Sequence, residues 1–203
     1  MTVNLASMSQ GPTRWIILDR DGVINIDSPD HILSPDAWKP IPGSLGAIAE
    51  LTQRGYGIIV ITNQSAIGRG LMTGHDLAAI HERMHEWIER AGGRLEAVYH
   101  CPHAPWENCA CRKPNTALFH QFSKQFAVPL ARLPAVGDAR RDLEAAIAVG
   151  AQPVLVLTGQ GRRTKMDLER HPLSHPVEIH ADLAAFVRVL LGNAMRTGPL
   201  PES

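Results

Sequence analysis

An apolar run that stops at two carboxylates constrains the fold of this chain more than any other feature. Residues 15–18 read Trp-Ile-Ile-Leu, and Asp19-Arg-Asp21-Gly22 follows directly. A run of this length, ended by Asp and Gly, indicates a buried strand that meets a loop. In an open α/β sheet, ligands bind beyond the carboxyl ends of the strands, so the two acids stand where a site is expected. Taken alone, the four residues 19–22 fit a surface turn better than a site.

The rest of the chain repeats this alternation of apolar runs with segments of helical period. Strands are predicted at 15–19, 57–62, 95–100, 134–138 and 153–158, and helices at 44–54, 73–91, 115–126, 140–149 and 181–191. Strands that alternate with helices need crossover connections, which build a mostly parallel sheet. The sequence therefore predicts an α/β, Rossmann-like fold with helices on both faces of the sheet. We expect a single domain at 13–191, between flexible ends at 1–12 and 192–203.

Composition argues against nucleic-acid and membrane partners. Lys plus Arg and Asp plus Glu each number 20, so the formal net charge is zero. A chain without a basic excess does not favour broad nucleic-acid binding. No stretch approaches the ~20 apolar residues of a membrane span, and the N-terminal residues lack a signal-peptide core. We therefore expect a cytoplasmic protein, and a monomer, because no helix shows an obvious apolar outer surface.

All three cysteines lie in one short segment, Cys101-x-His103-x5-Cys109-x-Cys111. Three thiolates and one imidazole match a closed tetrahedral zinc set, which leaves no open position for catalysis. An odd number of clustered cysteines is a poor disulfide framework. The spacing predicts a structural Zn²⁺ in a loop at 101–111, with buried or redox-active cysteines as the alternative.

Polar groups also follow two other predicted strands. Thr62 ends one strand, and the Asn-Gln-Ser run at 63–65 offers donors suited to phosphoryl oxygens. Asp138 ends another. Because the carboxyl ends of neighbouring parallel strands share one edge, we expect these groups to converge with Asp19 and Asp21.

The converging carboxylates predict a magnesium site. Asp19, Asp138 and the main-chain carbonyl of Asp21 supply three oxygen ligands of the kind that Mg²⁺ prefers. Asp142 is expected behind these ligands or at the start of a helix. A calcium-binding EF-hand is rejected, because the sixth and twelfth positions counted from Asp19 are Ile24 and Asp30 rather than Gly and Glu.

Three basic residues stand close in sequence to the motifs of the predicted site. Arg112 and Lys113 follow the zinc segment, and Arg69 stands in Gly68-Arg-Gly70. Lys113 suits the charge of a phosphoryl group, and the forked donors of Arg112 and Arg69 suit a hydroxyl or a second phosphate. The alternative is that these residues are solvated on the surface. For Arg69 the sequence favours neither interpretation.

The order of these motifs resembles the haloacid dehalogenase superfamily of phosphotransferases. The matching motifs are Asp19-x-Asp21-Gly22, Thr62-Asn63, Lys113 and Gly137-Asp138. The zinc segment and Arg112-Lys113-Pro114 are similar to its histidinol-phosphatase-like branch. Within that branch, residues 19–25 and 62–70 most resemble phosphatases that act on the 7-phosphate of a heptose 1,7-bisphosphate. The resemblance spans 16–161.

The resemblance implies a role for each motif. Asp19 would be the nucleophile that forms an aspartyl-phosphate, and Asp21 the general acid and base. Thr62 and Lys113 would stabilise the transferring phosphoryl group, and Asp19, Asp21 and Asp138 would hold Mg²⁺. The implied substrate contacts are Asp27, Ser28, Pro29, Asp30, Asn63, Gln64, Ser65, Arg69 and Arg112. The family further implies a minimal cap, a small sugar-phosphate substrate and a place in ADP-heptose supply for lipopolysaccharide.

Three departures from the family pattern leave the substrate open. Ala66 replaces a usual Gly, residues 115–117 read Asn-Thr-Ala where Pro-Gly is usual, and Ala139 follows Gly-Asp where a polar residue, often Lys, is common. Histidinol phosphate is the alternative substrate. A non-catalytic, zinc-stabilised phosphosugar-binding protein is the alternative of another class. Retention of both Asp19 and Asp21 argues against it, because binding alone does not need a general acid.

Overall fold

A computed structural model describes residues 12–196 of the 203-residue chain. Six strands form one sheet in the order β3-β2-β1-β4-β5-β6, and every neighbouring pair is parallel. The strands are β1 (Arg14–Leu18), β2 (Tyr56–Asn63), β3 (Ala97–Cys101), β4 (Pro134–Gly137), β5 (Gln152–Val156) and β6 (Glu178–His180). The order reverses between β1 and β4, and such a switch point opens a crevice for ligands.

Helices cover both faces of the sheet, which confirms the predicted fold class. They are α1 (Ser44–Gln53), α2 (Gly74–Arg90), α3 (Ala117–Phe126), α4 (Arg140–Ala148), α5 (Gly161–Arg170) and α6 (Leu183–Arg196). A 3-10 helix at Pro35–Ala37 lies in the connection between β1 and α1.

The central strands are buried on both sides because successive side chains enter opposite cores. Ile16 and Leu18 pack with α1, α2 and α6 on one face, whereas Ile17 packs with α3 and α4 on the other. Each fully buried aliphatic side chain contributes about 1.5–3 kcal/mol through removal from water. This packing fixes the end of β1 and therefore the position of Asp19.

The predicted ends of the domain need one correction. Residues 192–196 were expected in a flexible tail, but they continue α6 to Arg196. Gly192 lies inside this helix and does not adopt the positive φ that commonly ends one. Residues 1–11 and 197–203, the rest of both predicted ends, lie outside the described residues. Within 12–196, no helix is both long and apolar enough to cross a membrane.

Candidate active site

The loops that follow β1, β2 and β4 meet at the carboxyl edge of the sheet, as their order predicts. A cleft of ≈ 300 Å³ opens there. Of the predicted residues, Asp19, Asp21, Asp27, Ser28, Pro29, Thr62, Asn63, Gln64, Ser65, Arg69 and Arg112 line it. Asp30 does not; it is exposed at the loop surface. Lys113 and Asp138 lie buried directly beneath, in contact with the residues of its floor.

Lys113 joins two carboxylates below the cleft. Its Nζ lies 3.0 Å from Asp19 Oδ1 and 2.8 Å from Asp142 Oδ1, and it donates to the Ile61 carbonyl at 2.7 Å. The ammonium group thus contacts three oxygen atoms, two of them in carboxylates. Asp19 and Lys113 are 5% and 3% exposed, so solvent hardly screens the pair.

Burial and charge act in opposite directions on this group. Burial raises the pKa of Asp19 to about 6, and the Asp142 carboxylate adds to the rise, while Lys113 opposes it. Burial lowers the pKa of Lys113, but Asp142 and Asp19 more than offset this, so its pKa is raised. Lys113 therefore stays charged at neutral pH, and Asp19 ionises near neutrality beside it.

The second carboxylate, Asp21, is held away from Asp19 by a different set of donors. The guanidinium of the fully buried Arg20 grips it through Nη2, at 2.8 Å from Oδ1 and 2.9 Å from Oδ2. Asn25 and Gln64 donate to it at 2.9 and 2.8 Å. Burial opposes ionisation of Asp21, but Arg20 and these amides outweigh it and lower the pKa. The two acids therefore have pKa values displaced in opposite directions.

Two of the predicted substrate residues position neighbouring groups of the site. The Asn63 side chain accepts from the Lys113 main-chain N–H at 3.0 Å and donates to its carbonyl at 3.1 Å. Gln64 donates to both Asp21 and Thr62 Oγ1, the latter at 2.9 Å. These amides tie the end of β2 to the lysine and to the second acid.

Three buried carboxylates form a group able to hold a metal ion. Oxygens of Asp19, Asp138 and Asp142 all lie within 4.8 Å of one another. Asp138 Oδ2 accepts from the Gln160 N–H at 2.7 Å, while its Oδ1 is buried without a hydrogen-bond partner among residues 12–196. Asp142 differs, since its oxygens face Lys113 and the Ala139 N–H. Asp19 and Asp138 are thus the better oxygen donors for Mg²⁺.

The electrostatics of Asp138 also fit a cation. Burial raises the pKa of Asp138 to about 8, and the carboxylates of Asp142 and Asp19 add to the rise. The pocket around it is closed by glycine: a Cβ on Gly22 or Gly159, both at positive φ, would collide with its carboxylate. Three carboxylates packed this closely repel one another when ionised, and a bound divalent cation would offset that repulsion.

The cysteine loop brings its four predicted ligands together. Cys111 Sγ lies 3.1 Å from Cys101 Sγ, 3.5 Å from Cys109 Sγ and 3.2 Å from His103 Nδ1. All four ligand atoms fall within 4.8 Å of one another, a group able to hold a metal ion. The cysteines are free rather than disulfide-bonded.

Several residues of the site were not predicted from the sequence. Arg20 pairs with Asp21, and Arg141 and Gln160 line the cleft. The sequence predicts Asp142 behind the metal ligands or at a helix start; it is the third residue of α4 and also pairs with Lys113. The spacing Gly137-Asp138-x3-Asp142 carried the only sequence signal for this pairing.

Comparisons with known proteins agree with this geometry. A family model described as HAD-hydrolase-like matches residues 110–186. A D-glycero-β-D-manno-heptose-1,7-bisphosphate 7-phosphatase of Bordetella bronchiseptica is 46% identical over 181 residues, 89% of this chain and 99% of the relative. One from Pseudomonas aeruginosa is also 46% identical, over 87% of this chain and 97% of the relative. The crystal structure of the D,D-heptose 1,7-bisphosphate phosphatase of B. bronchiseptica with magnesium and phosphate superposes with a TM-score of 0.85, at 45% identity, covering 89% of this chain and 99% of that one.

The fold and the carboxylate–lysine site are those of a haloacid dehalogenase-type hydrolase. Within that class, the chain belongs to the D-glycero-β-D-manno-heptose-1,7-bisphosphate 7-phosphatase family. The resemblance indicated by the sequence motifs is thereby confirmed, and the match supports the main functional prediction rather than either alternative.

Proposed function

We propose that this protein is a Mg²⁺-dependent phosphatase that removes the 7-phosphate of D-glycero-D-manno-heptose 1,7-bisphosphate through an aspartyl-phosphate. The observation that carries the proposal is the buried Asp19–Lys113 pair, which lies beside a second, separately held acid at the foot of a cleft. Membership of the heptose-bisphosphate phosphatase family supplies the substrate class, a small phosphosugar.

In the first step, an Asp19 oxygen attacks phosphorus. Lys113 and the Arg20 main-chain N–H, at 3.0 and 2.8 Å, hold Oδ1, which orients Oδ2 for attack. A bond forms between this oxygen and phosphorus as the ester P–O bond breaks. Asp21 in its protonated form gives its proton to the departing sugar oxygen, and Lys113 and Thr62 offset charge on the phosphoryl oxygens.

In the second step, water hydrolyses the aspartyl-phosphate. Asp21, now ionised, takes a proton from the water as its oxygen bonds to phosphorus, and the bond to Asp19 breaks. The Arg20 contact that lowers the pKa of Asp21 favours this base form. Asp19 returns to its starting state, and inorganic phosphate leaves through the cleft.

Asp19, Asp138 and the main-chain carbonyl of Asp21 would hold the Mg²⁺ ion. When bound, the ion supplies positive charge to a phosphoryl oxygen and to the acids around it. The unpartnered Asp138 Oδ1 supports this assignment. Asp142 serves to orient Lys113.

Without Mg²⁺, we expect stability to fall as the pH rises. Because burial raises the pKa of Asp138 to about 8, the folded state keeps a proton that the unfolded chain loses near pH 4. The melting temperature should therefore drop by about 5 °C or more between pH 5 and pH 8, and Mg²⁺ should restore it. Thermal unfolding in Mg²⁺-free buffer measures this.

A matched pair of variants isolates this contribution. Asp138→Asn removes one of two groups with a raised pKa, so it should make the decline shallower, with Asp19 keeping its part, and should make Mg²⁺ ineffective. Asp30→Asn, at an exposed position of the β1–α1 connection, should leave the decline unchanged. An Asp138→Asn protein with the full wild-type decline would contradict this assignment.

We also propose that Cys101, His103, Cys109 and Cys111 hold a structural Zn²⁺. The compact group of three sulfurs and one ring nitrogen supports a tetrahedral site with no open position. Arg112 donates to the His103 carbonyl at 3.3 Å, so the loop also sets the position of a cleft cation.

Loss of this zinc should both unfold the loop and impair the enzyme. Cys111→Ser is expected to reduce bound zinc from one per chain to near zero and to lower the melting temperature by at least about 10 °C. Elemental analysis and thermal unfolding measure the two effects. A zinc-free wild type that melts at the same temperature as the zinc-loaded wild type would exclude a structural zinc.

A substrate panel tests the proposed activity directly. Phosphate release is measured with Mg²⁺ from both anomers of the heptose 1,7-bisphosphate and from histidinol phosphate. We expect a higher kcat/KM for a heptose bisphosphate than for histidinol phosphate. The reverse preference would move the protein to the alternative substrate with the same chemistry, and tight binding without release would favour a binding protein.

A further inference from the structure

Helix α4 begins with two successive arginines that have opposite surroundings. Arg140 is fully engaged outside the cleft: it pairs with Glu144 at 2.8 Å and with Asp167 at 2.9 Å, and donates to the His171 carbonyl at 2.8 Å. Arg141 instead lines the cleft. Its buried Nε has no hydrogen-bond partner in the described part of the chain. A buried donor without a partner is costly, so its partner is expected to come from a ligand.

Four arginines line the cleft, and Arg20 is already paired with Asp21, which leaves Arg69, Arg112 and Arg141. Arg112 is fixed by the cysteine loop, and Arg69 stacks on the Trp106 ring, with its Cζ 4.9 Å from the ring centroid. Burial lowers the pKa of Arg112, and the positive charge of Arg141 lowers it further. Both guanidinium groups line the same cleft, so an anion bound there could accept hydrogen bonds from both.

The reacting phosphoryl group does not need these arginines. Lys113 already lies at 3.0 Å from the Asp19 oxygen that it pairs with, and the acid group beneath the cleft is suited to a metal ion. The position directly after Gly-Asp supplies no polar group, because it is the buried Ala139. The arginines are thus in excess of what one phosphate requires.

We infer that Arg141, together with Arg112, binds the phosphate that is not transferred, and so makes the enzyme prefer a sugar bisphosphate to a monophosphate. This inference rests on the proposed function and assigns to it a residue that determines specificity. A guanidinium binds phosphate through two parallel N–H donors, which a lysine cannot reproduce.

The test compares two substrates across three variants. Phosphate release from heptose 1,7-bisphosphate and from heptose 7-phosphate is measured for wild type, Arg141→Ala, Arg141→Lys and the control Arg140→Ala. We expect Arg141→Ala to lower kcat/KM for the bisphosphate by roughly 10- to 100-fold, mainly through KM, as for loss of a charged hydrogen bond. The value for the monophosphate should change by less than about threefold, Arg141→Lys should be intermediate, and Arg140→Ala should keep the wild-type preference.

The results separate this inference from the proposed function. If wild type releases phosphate from neither substrate, the proposed function fails and the inference with it. If wild type is active but Arg141→Ala loses the same factor on both substrates, or on neither, only the inference is overturned. Should Arg141→Ala fail to fold by thermal unfolding, the bisphosphate-to-monophosphate ratio of Arg141→Lys decides, and an unchanged ratio refutes the role.

Discussion

Replacing Asp19 by Asn is expected to reduce phosphate release by at least about 10⁴-fold, as is typical when a covalent nucleophile is removed. An amide nitrogen or oxygen cannot form the acyl phosphate, while the side chain keeps its size. The fold should survive, because Lys113 retains Asp142 at 2.8 Å and one negative charge leaves a crowded group. Steady-state phosphate release and thermal unfolding measure the two properties.

Asp27, another carboxylate of the cleft, serves as the control for the loss of activity in Asp19→Asn. Asp27 lines the cleft but lies on the β1–α1 connection, and its Oδ2 accepts from the Gln160 side chain at 3.2 Å. Asp27→Asn should alter KM without a comparable loss of kcat. Rapid acid quenching of wild type should also trap a phosphorylated enzyme that Asp19→Asn does not form. An Asp19→Asn enzyme with more than a few per cent of wild-type activity would exclude the aspartyl-phosphate route.

Replacing Lys113 by Met should damage both activity and stability. The Asp19 and Asp142 carboxylates would lose the cation that they share, and breaking a buried ion pair by removal of one partner costs about 3–5 kcal/mol of unfolding free energy. Phosphate release should fall by about 10³-fold, because charge on the transferring group is no longer offset. Urea denaturation and kcat measure the two effects.

Two further variants show whether the buried charge is the cause. Lys124→Met, at an exposed position on α3, should leave both quantities near wild type. Adding Asp142→Asn to Lys113→Met should recover part of the lost stability, since one unpaired carboxylate disappears, yet recover no activity. A double variant as unstable as Lys113→Met alone would mean that the loss comes from packing rather than charge.

The elements that surround the site are largely predictable because their sequences are strongly patterned. The apolar runs that became β1 and β2 are buried on both faces, and such strands read as continuous hydrophobic segments. Two later elements carry no such signal: α5 (Gly161–Arg170) buries only Gly161 and Thr164, and β6 (Glu178–His180) has three residues. Helix α3 begins at Ala117 rather than 115, since Lys113 and Pro114 form a turn that the Asn115 N–H closes by donating to the Arg112 carbonyl at 2.8 Å.

The residues of the site also fall into two groups, those that the sequence predicts and those that it does not. The acids, the lysine and the Cys/His residues of the cysteine loop stand in short motifs, and strand order predicts that the acids meet at one edge of the sheet. Their partners are set by tertiary contacts: Asn63 reaches Lys113 across fifty positions of chain, and Gln64 bridges Asp21 and Thr62. Nor does the sequence distinguish Arg140 from Arg141, whose different surroundings depend on where α4 enters the sheet edge.

The strand order also imposes a sequence of events on folding. β1 pairs with β2, which follows it closely in the chain, but its other neighbour, β4, is separated from it by more than half of the chain. A nascent chain can therefore align β1, β2 and β3 before β4 is available, whereas non-local pairings of this kind form slowly. Asp138 reaches Asp19 only when β1 and β4 join. The rate at which Mg²⁺-dependent phosphate release returns during refolding therefore reports when the whole sheet has formed. This activity should return later than the circular dichroism signal of the helices.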